Sequence, residues 1–150
     1  ATEIAKEFPE VEFNDKIIDN LCMQLVMDPN QFDILLLSNL YGDIVSDLVA
    51  GMVGGLGLVP GANIGDKYAV FEAVHGSAPD IAGKNIANPS AMLFSALLML
   101  RHFSEDEAAD RIYNAVSAVY QEGINTTRDV GGEADTTQFA EAVIREMEKN

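Results

Sequence analysis

Residues 90 to 103, SAMLFSALLMLRHF, are apolar on nearly every side of a helix. Such a helix is buried or seated at an interface, so the rest of the chain must supply elements that cover it. Asn88 and Pro89 precede it as cap and first helical residue. Two amphipathic helices follow. SEDEAADRIYNAVSAVYQEG has Ser104 as N-cap and Glu107 three residues on, a capping-box pattern, and ends at Gly123. ADTTQFAEAVIREMEKN forms the second.

Upstream, Ala1, Ile4, Ala5 and Phe8 recur at helical spacing until Pro9, and VEF at 11 to 13 alternates like a short strand. Ile17, Ile18, Leu21, Cys22, Leu25 and Val26 place a helix over Lys16 to Met27, ended by DPN. FDILLLSN, a short continuous apolar run, suits a strand buried on both faces. A helix from about Gly42 to Val53 closes at Gly54 and Gly55, and YAVFEAV is a strand within a Gly- and Pro-rich region. SAPDIAGKNIANP carries three turn signals and predicts an exposed, ordered loop of the sort that hosts function. The pattern is α/β, a mixed sheet covered by helices.

At 150 residues and 48% apolar, the chain makes one compact domain or one lobe of something larger. Its net charge of -15 repels polyanions, which argues against nucleic acid and anionic membrane as partners. Cys22 excludes an internal disulfide and reads as a small buried hydrophobe, consistent with a reducing compartment. No basic segment precedes an N-terminal apolar stretch, and the run Ala91 to Leu100 is too short to span a bilayer. The expectation is an intracellular protein, cytoplasmic or, in a eukaryote, of the mitochondrial matrix. Without an initial Met, and with a helix already under way at Ala1, the sequence reads as a piece of a longer one.

Asp43 and Asp47 lie four positions apart in SNLYGDIVSDLVAGMVGG and so project from one helix face. Two readings stand. The pair is a solvated polar stripe, since like charges at this spacing cost only a few tenths of a kcal/mol; or it is a hard-cation site, since two carboxylates with water and a substrate oxygen suit Mg²⁺ or Mn²⁺. Asp19, on the preceding helix, is a possible third ligand.

Other motifs fail. GGLGLVPG has Pro60 where a dinucleotide fingerprint needs its third glycine, and it follows a helix instead of a strand. APDIAGKN has Ala78 and Asn85 where a P-loop needs Gly and Ser or Thr. Nothing in the spacing of Cys22, His75 and Asp80 supports a nucleophile set. His102 reads as structural, whereas His75 stands where a strand meets the exposed loop, beside Gly76 and five residues before Asp80, a weak pointer to a nucleotide pocket.

NLYGDIVSDLVAGMVGGLGLVPGANIG followed by FEAVHGSAPDIAGKNIANP resembles the C-terminal half of the isocitrate and 3-isopropylmalate dehydrogenases, the metal-dependent β-decarboxylating dehydrogenases. The likeness is strong from Ala1 to about Arg101 and looser beyond. It implies that Asp43 and Asp47 bind Mg²⁺ or Mn²⁺ with the substrate's hydroxyl and carboxylate oxygens, and that Asp19 completes the site from the other subunit of a homodimer. The helices within about 16 to 55 would form the dimer interface, residues 72 to 90 the NAD-binding loop, and 90 to 150 the C-terminal helices.

The same resemblance implies that His75, Gly76, Ser77 and Ala78 line the adenosine site, that Asn88 contacts the adenine, and that Glu72 lies nearby. Asp80 and Ile81 would decide the cofactor, because a carboxylate accepts from a ribose 2′-hydroxyl and repels a 2′-phosphate. NAD is expected. PGANIG looks more like the isocitrate enzymes, with homoisocitrate and isopropylmalate as alternatives. The family's catalytic lysine and tyrosine, and its substrate-gripping serine and arginines, belong to segments before Ala1, so these 150 residues alone are expected to be inactive. The competing reading is a non-catalytic dimerisation or binding module.

Overall fold

A computed structural model describes residues 1–149 and divides the chain into two compact units, Ala1–Val49 and Ala50–Asn150. In the first unit, a single turn of helix α1 (Thr2–Ala5) is followed by turns up to Pro9, and VEF forms no strand. Helix α2 (Ile18–Met27) ends at Asp28, whose carboxylate accepts the amide of Asn30 at 3.3 Å and so caps a 3₁₀ turn over Pro29–Gln31. Helix α3 (Asn39–Met52) follows. Leu21, Leu25 and Val45 form the buried cluster, flanked by Ile18, Cys22, Phe32, Leu35, Leu37 and Val49.

FDILLLSN is not the expected strand. Phe32, Leu35 and Leu37 turn toward the α2–α3 cluster, while Ile34 and Leu36 are 89% and 80% exposed. A strand requires a neighbour to share its ladder, and the only two strands among the described residues pair with each other. Cys22 is not fully buried as expected but half-buried, packed against the edge of the cluster beside Leu21 and Leu25.

The second unit begins with the last residues of α3, which Gly54 and Gly55, at φ 115° and 109°, terminate as predicted. A 3₁₀ turn at Leu56–Leu58 leads into β1 (Pro60–Ile64), which pairs antiparallel with β2 (Ala69–Ala73) in a register running from Pro60 opposite Ala73 to Ile64 opposite Ala69. Helix α4 (Ser90–His102) packs on both strands and on α5 (Asp106–Glu122), which in turn packs on α6 (Thr136–Lys149). The class is therefore α/β, with a sheet of two strands.

The core of this unit is Ala115, Val116, Val119, Phe139, Ala142 and Val143, with the Tyr120 ring tilted against Phe139 at 5.4 Å between centroids. Helix α4 buries Ala91, Ser95 and Leu97 but leaves Met92 and Met99 exposed, so its all-round apolar surface is only partly covered by this chain. Ser95 resolves the one polar interruption of that helix: its hydroxyl lies 2.7 Å from the carbonyl of Glu72 and 2.8 Å from that of Ala91. The contact ties α4 to β2 near the end of the strand. Ser95→Ala removes that tie while both carbonyls keep their backbone partners, and should cost about 1 kcal/mol in chemical denaturation.

Two caps differ from expectation. Pro89 is the N-cap residue of α4 instead of its first helical residue, though the Asn88 side chain still accepts the Ser90 amide at 3.0 Å. Ser104 does not cap α5. It takes φ 60° as the left-handed residue that closes α4, with its own amide on the Arg101 carbonyl and that of Glu105 on Leu100, the pair of reversed bonds of a Schellman motif. A residue in that conformation cannot also present the extended backbone of an N-cap. Gly123 does end α5 in the left-handed region, and His102 is structural, its ring centroid 5.5 Å from those of Phe71 and Phe103.

Candidate functional site

Between β2 and α4, residues 74–89 form the exposed loop that the turn signals predict, and this loop walls a cleft of about 860 Å³ inside the second unit. Short bonds order it: the Ile81 amide donates to the Ala78 carbonyl at 3.0 Å and the Lys84 amide to Ile81 at 3.1 Å. Ala78 and Asn85 sit at φ 42° and 54°, uncommon for residues with a Cβ and kept only where surroundings hold them. For Asn85 the holding groups come from the start of α6. Its carbonyl accepts the Thr136 amide at 3.0 Å, its side-chain oxygen accepts the Thr137 hydroxyl at 3.1 Å, and the Thr136 hydroxyl donates to the Ala87 carbonyl.

Asn88 closes the far end of the loop, 7% exposed and fully bonded. Its side-chain nitrogen donates to Asp129 Oδ2 at 2.9 Å and to the Tyr120 hydroxyl at 3.1 Å, while its oxygen accepts from Ser90. Both amide hydrogens are thus already in use. Asp129 in turn accepts the hydroxyl of buried Thr127 at 2.6 Å through its other oxygen.

Of the residues anticipated for the cofactor, His75, Gly76, Ser77, Ala78, Ile81 and Asn88 line the cleft. Glu72 and Asp80 are not among its lining residues. Glu72 is exposed on β2, its carboxylate accepting from the Asn63 side-chain nitrogen at 3.2 Å, and Asp80 is exposed on the loop beside Ile81. Gly57, Asn85, Asp129 and Thr136 line the cleft without having been anticipated. Asn85 falls within the anticipated loop of residues 72 to 90 but was not singled out, whereas no local signal marks Gly57, Asp129 and Thr136, which arrive from distant segments. Apart from His75, Asp129 is the only ionisable group among the described lining residues, which include neither Lys nor Arg.

The anticipated metal ligands belong to the first unit. Asp43 and Asp47 are exposed on α3, two residues either side of buried Val45 and therefore on the opposite side of the helix from the cluster. Asp19 lies exposed in the first turn of α2, its carboxylate on the Asn20 amide at 2.6 Å. Within one chain, no three of His, Cys, Asp and Glu gather into a metal-binding group among the described residues. Asp43 and Asp47 share a face as the spacing requires; Asp19 does not join them. Their hard carboxylate oxygens have the chemistry that Mg²⁺ and Mn²⁺ prefer, as two members of an incomplete set. No helix among the described residues is long and apolar enough to cross a membrane.

Residues 1–143 match the sequence model of a family described as isocitrate/isopropylmalate dehydrogenase. The chain is 57% identical over 145 residues to an isocitrate/homoisocitrate dehydrogenase of Thermus thermophilus, covering 97% of the chain and 43% of that protein. It is 54% identical over 142 residues to catalytic subunit 5 of the mitochondrial NAD isocitrate dehydrogenase of Arabidopsis thaliana, covering 94% and 38%. The crystal structure of isocitrate dehydrogenase from Methylococcus capsulatus superposes with a TM-score of 0.92 at 52% identity, over 97% of this chain and 44% of that one. The chain thus spans about two fifths of the length of these relatives.

Proposed function

Because the chain belongs to the isocitrate/isopropylmalate dehydrogenase family, we propose that it is the portion of an NAD-dependent isocitrate dehydrogenase that holds the adenosine half of the cofactor and supplies carboxylates to a divalent-metal site. The observation that carries the cofactor assignment is the cleft itself. Its wall is the loop His75 to Asn88, and among the described lining residues there is no Lys or Arg to neutralise a 2′-phosphate, Lys84 of the same loop being exposed and outside the lining. Asp80, on the same loop, adds a carboxylate suited to a ribose 2′-hydroxyl. The NAD named for the Arabidopsis relative agrees with this reading.

The residues divide the work. The loop backbone from His75 to Ala78 and the apolar side chain of Ile81 hold and orient the adenosine, and bound NAD supplies the hydride acceptor for the C2 alcohol of the hydroxy acid. Asp43 and Asp47, with Asp19 from a second copy, would hold Mg²⁺ or Mn²⁺, which when bound provides Lewis-acid stabilisation of the substrate oxygen during oxidation and decarboxylation. The lysine and tyrosine that the family resemblance implies for catalysis are proposed to lie outside these 150 residues. The chain alone is therefore proposed to bind without turning over.

Kinetics of an intact subunit carrying these residues test the cofactor assignment. The expected result is a KM for NAD at least about tenfold below that for NADP, since expelling an unpaired phosphate from beside a carboxylate is worth 1.4 kcal/mol or more. A preference for NADP overturns it. Homoisocitrate is the second substrate to assay, because the Thermus relative's name couples it with isocitrate; higher kcat/KM on homoisocitrate would replace isocitrate in this reading.

A further inference from the structure

We propose that Asp129 is a positioning residue of the cleft, which acts through Asn88 to fix the wall against which adenosine binds. The proposal rests on the reading of the cleft as the adenosine site. A primary amide can sit in two orientations that differ by exchange of its oxygen and nitrogen. Here the choice is forced. The Ser90 amide, 3.0 Å away, needs an acceptor, so the Asn88 oxygen must face it. The Asp129 carboxylate has no hydrogen to give, so the nitrogen must face that group at 2.9 Å. Reversal would set donor against donor and oxygen against oxygen.

Asp129 is itself held. Thr127, fully buried, donates to its second oxygen at 2.6 Å. Gly57 closes the third side, since a Cβ there would lie 3.0 Å from Asp129 Oδ2 and 3.1 Å from Asn88 Cβ. Three segments far apart in sequence, at 57, 88 and 127 to 129, are therefore locked at one point of the wall. Asn88 has no side-chain amide hydrogen left for a ligand, so its contribution is geometric: it anchors residues 86 to 88, which line the cleft together with Asp129. Releasing the amide leaves those residues to be ordered at the expense of ligand affinity.

The test is calorimetric titration of ADP-ribose, which carries the adenosine half alone, into an intact subunit carrying these residues, with steady-state kinetics on NAD alongside. For Asp129→Ala the dissociation constant should rise about tenfold. KM for NAD should follow it, while kcat at saturating NAD stays within about twofold. Asp129→Asn, which can still accept from Asn88 and bond Thr127, should stay within about threefold of the unsubstituted protein. A residue needed only for folding would lower kcat and metal binding as well.

If Asp129→Ala does not fold, the reversed pair decides. Asn88→Asp sets two carboxylates face to face and should lose binding, and Asn88→Asp combined with Asp129→Asn should regain most of it. Undiminished ADP-ribose affinity in Asp129→Ala, or no recovery in the double variant, overturns the proposal alone. Absence of saturable ADP-ribose binding by the unsubstituted protein overturns the reading of the cleft and this proposal with it.

Discussion

Asp43→Asn should weaken Mn²⁺ binding by an intact subunit at least about a hundredfold, because even groups that merely support a metal ligand are worth 10–100-fold. The two aspartates share the exposed face of α3, opposite buried Val45, so the substitution removes a charge without disturbing the cluster beneath. Net charge is the competing explanation, since a chain at -15 attracts cations anywhere on its surface. Asp66→Asn, which removes an equal charge from the exposed tip between β1 and β2, is the control, and titration at 0.15 M salt screens the diffuse term. Equal weakening by both variants would reduce Asp43 and Asp47 to a solvated stripe. Asp19→Asn should resemble Asp43→Asn in the dimer if the site is shared across subunits, and have no effect if it is not.

Phe139→Ala carries the largest expected loss of stability, about 3–5 kcal/mol by chemical denaturation. Phe139 is fully buried in the cluster joining α5 and α6, so its removal leaves a cavity in closely packed surroundings. The loss reaches the cleft. Tyr120 packs its ring at a tilt against Phe139 and places its hydroxyl 2.7 Å from Ser90 Oγ and 3.1 Å from the Asn88 side-chain nitrogen. A change below about 1 kcal/mol would show that these helices draw their stability from elsewhere.

The helical parts of the fold were legible because periodicity and punctuation are local. Gly54, Gly55 and Gly123 stop their helices where the pattern says they should, through positive φ values that the sequence announces by the missing Cβ. FDILLLSN misled because an apolar run records a need for cover without saying what supplies it. Part of this run leans on α2 and α3, and the rest stays exposed. Ser104 misled for a different reason. Two helix ends compete for the same short segment, and the closing turn of α4 claims the residue before α5 can use it.

At the cleft, the loop was legible as a motif from His75 to Asn88, whereas Asp129 was not. It lies 41 positions from its partner Asn88 and joins it only once α4, α5 and the 3₁₀ turn at Arg128–Val130 have packed. Sequence spacing carries no trace of such a meeting. The aspartates at 43 and 47 are the opposite case, since one helical turn suffices to put them side by side.

All of the cleft's lining falls between Leu56 and Thr136, and all three aspartates fall before Ala50. On the proposed reading, nucleotide choice and cation affinity are therefore written in separate stretches of the polypeptide. Natural variation can retune one without rewriting the other, and a chimera exchanged at the α3 junction would inherit each trait from a different parent.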